Sequence, residues 1–418
     1  MKRIFKGDII YTSNPKSFEI YEDSYLIVEN GVVKSICKDL ESISDDYEVL
    51  DFTNKLIIPG FVDIHLHSSQ YLNIGLGMDK ELIPWLNTYT FPEEAKFKNI
   101  EYAKIVYEKF ISDLINKGTT SSVIYATIHK ESTLLLMDLL NESKLRAYVG
   151  KVNMDRNTTE DLCEETDRSL RDTEDIILGT MGKNVKPIIT PRFVPSCTPE
   201  LMRGLADLAN KYDIPVQSHL SENTNEVEWV KKLHPEIKNY ASVYDEFGLF
   251  GQTKTIMAHC IYTTDEEIKL MSERGVFAAH CALSNYNLSS GIMPVRKYLD
   301  YGVKVGIGSD ISGGNTLSIP QSIVSTIQAS KIKWLESGKE LYPLSFSEAF
   351  YMATKGGGEF FGNVGSLEKG YKADFLVIDD SNITNHNEFG AFERLQKYIY
   401  SGNETNIIKV YVNGERVK

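Results

Sequence analysis

The sequence has no apolar run approaching the ~18 residues that a membrane-spanning helix needs, which excludes an α-helical membrane protein. Its five cysteines, at positions 37, 163, 197, 260 and 281, include no C-x-x-C pair. A sparse, odd count of that kind excludes a disulfide framework and suits a reducing cytoplasm. Positive charge is also short: 45 Lys and Arg stand against 58 Asp and Glu, a formal net charge of −13. That balance argues against a sequence-independent nucleic-acid footprint and against an anionic membrane surface, and is read most simply as solubility. The start, MKRIFKGDII, is basic but lacks the apolar stretch of a secretory signal, so a cytoplasmic location is expected. Low-complexity tracts and short-period repeats are missing too.

What is present is ordinary globular composition, 42% apolar and 25% charged, over 418 residues. That length suits one large barrel with a satellite domain. The first stretch (IFKGDIIYT, SYLIVENGVVKSIC, YEVLDFTNKLIIPG) and the last (DFLVIDD, IIKVYVNGERV) mix β-formers with turn residues. Asn30-Gly31 and Asn413-Gly414 are hairpin signals within them. Between these ends the rhythm becomes strand then helix. Strands are predicted at FVDIHLH, TTSSVIYAT, RAYVGKVNM, VKPIITPRF, IPVQSHL, KTIMAHC, GVFAAHC and GVKVGIGSD. Helices are predicted at EYAKIVYEKFISDLINKG, STLLLMDLLNES, PELMRGLADLANKYD and TDEEIKLMSERG. The predicted fold is α/β: a (β/α)8 TIM-type barrel over residues 58–362, with a small β-sandwich domain built from both chain ends, 1–57 and 363–418.

A barrel of this kind builds its active site at the C-terminal ends of its strands. The chain places its scarce histidines there. His65 and His67 stand two apart on FVDIHLH, so the strand period of two points both imidazoles the same way. His219, His259, His280 and Asp310 each fall at the end of a further predicted strand. A lone H-x-H reads equally well as a packed or solvated pair, and each of the others alone reads as a satisfied core histidine or a helix-capping Asp. Together they point to zinc or another borderline divalent metal.

The segments PGFVDIHLHSSQY, SHLSEN, MAHC, AAHCALSN and GIGSD resemble the strand-end motifs of the amidohydrolase superfamily. The long insertion QYLNIGLGMDKELIPWLNTYTFPEEAKF, with IYATIHKES, VKPIITPRF and SHLSENTNEVEWVKKLHPEIKNYASVYDE, is similar to the branch of that superfamily that deaminates guanine to xanthine. The resemblance runs over nearly the whole chain. It implies one Zn²⁺ per chain held by His65, His67, His219 and Asp310, a neutral-pH source of hydroxide. It implies that His259 hydrogen-bonds the attacking water, that Asp310 takes its proton, and that Glu222 shuttles protons to the purine ring. Substrate contacts are implied for Gln70, Arg192, Phe193, Glu222 and Asp310, with Arg192 donating to the O6 carbonyl of guanine. A homodimer is implied as well.

Several residues keep a second reading. Gln70 and Arg192 read alternatively as surface polar groups, the latter in a surface salt bridge. Phe193 reads as packing, and Trp85 and Phe91 read as covering the base or packing within a long loop. His129 reads as a surface residue or a rim group. The superfamily's HCPxSN stands here as HCALSN, with Ala282 in place of proline, which puts any role of Ser284 or Asn285 in doubt. His280 is not among the implied ligands. A two-metal relative would need a bridging lysine, but Lys151 and Lys186 lie at the wrong places on their strands. His234-Pro235-Glu236 mimics half of the H-x-E…P-C-x-x-C signature of the other zinc deaminases, and the second half is missing. The remaining alternatives are deamination of another heterocycle (cytosine, a pterin, a triazine or another purine) and an inactive barrel serving in assembly.

Overall fold

The protein is described by a computed structural model covering residues 2–40, 46–384 and 388–418. Four strands open the chain: β1 (Lys2–Asn14), β2 (Ser17–Glu29), β3 (Val32–Cys37) and β4 (Glu48–Pro59). The central region supplies β5 (Phe61–His67), β6 (Thr119–Tyr125), β7 (Arg146–Gly150), β8 (Val152–Asn153), β9 (Lys186–Pro187), β10 (Thr190–Pro191), β11 (Val216–Leu220), β12 (Thr255–His259), β13 (Phe277–His280) and β14 (Val305–Ile307). The chain closes with β15 (Phe375–Ile378), β16 (Ile407–Val412) and β17 (Glu415–Arg416).

The central strands are mixed with helices and pair in parallel, in the orders β5-β6-β7-β9 and β11-β12-β13-β14, with β8 beside β10. Every residue of β5, β6, β11 and β12 is buried, as strands covered on both faces should be. Backbone hydrogen bonds run from Ile189 to Pro215 and from Gln217 to Ile189, and from Asp310 to His65 and His67 to Ile311. These join the two sheets at both flanks. The four helices expected from the sequence are present at Ile100–Asn116, Lys130–Ser143, Pro199–Tyr212 and Asp265–Arg274. Their ends have local causes. Thr264 and Glu267 form a capping box at the last of them, and Gly275, with φ 68°, ends it in the left-handed region.

Side-chain alternation sorts the strands into two apolar layers. Ile64, Val123, Ile256, Ala258 and Ala279 pack with one another, while Met257, Leu220 and Ala278 meet the helices.

The strands of the two chain ends hydrogen-bond into one seven-stranded sheet, in the order β17-β16-β15-β4-β1-β2-β3. β1 and β4 are parallel, and the other neighbours antiparallel. Both predicted hairpins are there, with positive φ at Asn30 and Gly31 and at Asn413 and Gly414, as a type I′ turn requires. Phe5, Phe375 and Tyr411 form a ring cluster on this sheet, with centroids 4.6–4.9 Å apart. Arg394 ties the ends together through ion pairs to Asp8 (2.6 Å) and Asp380 (2.7 Å). No helix among the described residues is long and apolar enough to cross a membrane.

Candidate active site

The ends of β5, β11 and β12, and the turn after β14, bring five groups into one buried cluster. Asp310 Oδ1 lies 3.1 Å from His65 Nε2 and 3.3 Å from His67 Nε2, and Oδ2 lies 3.7 Å from His259 Nε2. His219 Nε2 is 3.3 Å from His67 Nε2. Strand period alone does not aim all of them. On β12 it is Ala258 that belongs to the inner layer, so His259 next to it would point outward. A left-handed backbone at His259 (φ 69°) and Cys260 (φ 50°), and again at Asp310 (φ 48°), reorients the chain there. Such conformations cost about 1–2 kcal/mol per non-glycine residue and concentrate at functional sites.

The protonation pattern suits a cation. His219 Nδ1 donates to the Arg192 carbonyl at 2.6 Å, and His259 Nδ1 donates to Asn285 Oδ1 at 2.9 Å. Each ring therefore keeps an Nε2 lone pair for the cluster. His65 Nε2 is buried and, apart from the 3.1 Å approach of Asp310 Oδ1, has no hydrogen-bond partner. Burial lowers the pKa of His65, takes His67 down to about 4, and holds His219 well below the ordinary value, the direction that favours the neutral ring a metal ligand needs. Burial alone would raise the Asp310 carboxyl, but the imidazoles around it, His65 foremost, hold it well below the usual carboxylate range. The donor set therefore fits a divalent metal. Ligand atoms of His65, His219 and His259 fall within 4.8 Å of one another, as do those of His65, Cys281 and Asp310. Burial pushes the Cys281 thiol well above its ordinary pKa.

Glu222 stands beside this floor, Oε2 lying 3.5 Å from His259 Nε2 and Oε1 accepting from Ser290 Oγ at 3.3 Å. Burial, reinforced by the charge of Asp310, raises its pKa well above the usual range. Glu226 fixes its backbone, accepting from the Glu222 and Asn223 amides at 2.8 and 3.2 Å. The cavity above is lined by His67, Gln70, His219, Glu222, His259 and Asp310 at its polar end, and by Leu82, Trp85, Leu86, Phe193 and Leu288 around its apolar wall. Arg192 also lines it. Gln70 and Arg192 are 2% and 4% exposed, which removes the surface readings for both.

The segment around Trp85 and Phe91 is not a loop. It folds as one continuous helical stretch over Leu82–Trp85, Leu86–Thr90 and Phe91–Ala95, with Trp85, Leu86, Thr90 and Phe91 at the junctions all in the right-handed helical region and the middle segment widened into a π-helix ahead of Pro92. Trp85 faces the cavity, and Phe91 lies under the Arg192 guanidinium at 5.0 Å. His129, half-buried at the start of the helix Lys130–Ser143, does not line the cavity, nor does His280, which is buried with neither ring nitrogen partnered. His234 ends the helix Thr224–Leu233. Lys151 is buried and paired with Glu164 at 2.7 Å. Asn285, in the divergent HCALSN, has a role after all as the partner of His259.

Sequence reasoning missed Glu94, Glu226 and Tyr125. Glu94 accepts from Gln70 Nε2 at 2.9 Å and from Arg192 Nη1 at 2.5 Å. Tyr125 packs its ring against His65, His67 and His219, with centroids 4.5–5.0 Å away. An acidic residue three positions after Phe91 on a helical turn was the available signal for Glu94. Nothing distinguished Tyr125 from a core tyrosine.

Comparison with known proteins agrees with this geometry. The amidohydrolase family profile matches residues 56–417. A guanine deaminase of Dictyostelium discoideum is 40% identical, covering 100% of this chain and 98% of its own, and the human guanine deaminase is 37% identical, covering 100% and 97%. The crystal structure of a guanine deaminase from C. acetobutylicum, with guanine bound in its active site, superposes with a TM-score of 0.98 at 54% identity, covering all of both chains. This chain belongs to the amidohydrolase family.

Proposed function

We propose that this chain hydrolyses guanine to xanthine and ammonia. The observation that carries the reading is the juxtaposition in one buried cavity of a neutral-histidine and carboxylate cluster, an adjacent raised-pKa glutamate, and an amide and guanidinium pair, Gln70 and Arg192. Relatives sharing 36–40% of its sequence over full length bear that activity in their names.

His65, His67, His219 and Asp310 would hold one zinc ion. Bound there, the metal supplies Lewis acidity that makes water a nucleophile at neutral pH. Glu222 does the proton work. Its raised pKa favours the protonated carboxyl, whose proton goes to N3 of the ring while C2 is attacked, so that no unstabilised anion forms. His259, its Nδ1 committed to Asn285, accepts a hydrogen bond at Nε2 and orients the incoming water. Asp310 accepts the proton that water loses and passes it to the C2 amine, which leaves as ammonia as the C2–N bond breaks, while the hydroxyl proton left on C2 returns to Glu222. Gln70 offers its remaining N–H and carbonyl lone pair to the purine edge, Arg192 donates to O6, and Phe193 packs on the ring.

The same reading includes an eight-stranded (β/α)8 barrel, supported by the Ile189–Pro215 and Asp310–His65 hydrogen bonds that join the sheets. It divides the chain into a barrel over 58–362 and a small domain over 1–57 and 363–418. The ring cluster of Phe5, Phe375 and Tyr411 supports folding of the terminal sheet into a sandwich. The family resemblance extends the reading to a cytoplasmic homodimer acting in purine breakdown. The test is release of xanthine and ammonia from guanine by the purified chain, lost on chelation and restored by zinc. A metal-replete chain that leaves guanine unchanged would refute the proposal.

A further inference from the structure

Glu94 lies in the insertion that roofs the cavity, and its carboxylate is 4% exposed. Its two oxygens have separate duties: Oε1 accepts from Gln70 Nε2 and Oε2 from Arg192 Nη1. Phe91, one helical turn earlier, lies against the same guanidinium. The far end of the Gln70 amide is fixed too, because Oε1 accepts from the Ser312 backbone N–H at 3.3 Å. Donors therefore surround Gln70 on one side and an acceptor on the other, and only one amide orientation satisfies both.

Resting on the guanine reading above, we infer that Glu94 is a positioning and specificity-determining residue, which sets the donor–acceptor pattern that Gln70 and Arg192 present to the O6 side of the base. A carboxylate is the only side chain that can do both jobs. It accepts twice, and it supplies the buried guanidinium with its counter-charge. An amide at the same place has one acceptor and one donor. It would oppose a donor to either Gln70 Nε2 or Arg192 Nη1, freeing the Gln70 amide to turn over or the guanidinium to leave O6. Glu94 itself is not among the residues lining the cavity, so it acts through these two.

The test is Glu94→Gln in the metal-loaded enzyme, with guanine as substrate and 2-aminopurine as a competing ligand. Both bases carry the amine at C2, and only guanine carries O6. The variant is expected to raise KM for guanine by roughly 10–100-fold, the scale of a lost charged hydrogen bond, with kcat within about threefold and metal content unchanged. The inhibition constant of 2-aminopurine should move by no more than about threefold, because it has no O6 to lose. An equal weakening of both bases, or a guanine KM within about twofold of wild type, would overturn the inference. Should the single variant not fold, Arg192→Met and Arg192→Met/Glu94→Gln carry the comparison, since the double variant leaves no unpaired buried charge. Equal guanine to 2-aminopurine ratios in these two support the role, and a further about 10-fold loss for both bases in the double variant overturns it. Wild-type turnover of guanine, measured alongside, reports on the functional reading separately.

Discussion

The floor of the cavity and its wall are built in different ways. The floor takes His65, His67, His219, His259 and Asp310 from strand ends, each aimed by its own strand or by a local left-handed turn. On the wall, Gln70 at the start of the helical insertion and Arg192, the residue after β10, line the cavity, and Phe91 and Glu94 of the insertion hold them from outside it. Each floor residue takes its direction from its own backbone. A wall residue has no defined orientation without its partners. Losses on the floor should therefore fall on turnover and metal content, and losses on the wall on affinity and selectivity.

The largest break is expected at His219. His219→Ala should abolish turnover together with most of the bound metal, read by metal analysis of the purified variant; stoichiometric zinc with a near-normal rate would remove it from the ligand set. Next comes Glu222→Gln, expected to lower kcat by about 10²–10⁴-fold, the usual worth of general acid–base catalysis, while zinc is retained. Unchanged turnover there would mean the proton travels elsewhere. On the wall, Arg192→Met should cost about 10–100-fold in kcat/KM for guanine, mostly in KM, without creating activity on adenine. A loss confined to kcat would erase the distinction between wall and floor. The smallest effect is expected at Asn285→Ala, about 10-fold in activity or metal affinity, the lower end for a group that orients a metal-site histidine. An effect as large as that at His219 would make Asn285 part of the floor itself.

The same contrast decides what could be read from the sequence. The parallel strands were legible because each is a short apolar run, and the helices because their ends carry Thr264, Glu267 and Gly275. His65, His67, His219, His259 and Asp310 were legible as polar residues at strand ends, and the structure brings all five within reach of one another. What failed lay where a residue's meaning depends on a distant partner. Glu94 gains its meaning from Arg192, 98 positions away, and Asn285 from His259, 26 positions away. The Trp85–Phe91 stretch read as a loop because its apolar residues show no regular α-helical period; the structure instead has a continuous helical stretch with a π-helical middle, whose Leu82, Trp85 and Leu86 line the cavity.

The most direct test of the account is kcat/KM for guanine and adenine on the same zinc-loaded preparation. In the guanine pose, adenine would set its 6-amino group against Arg192, donor against donor, and would present no amine at C2. A site built to hydrogen-bond one group can reject an analogue lacking it by roughly 10⁴–10⁵-fold. Guanine is predicted to exceed adenine by about that factor, with one ammonia released per guanine consumed. Comparable rates on the two bases would contradict the account.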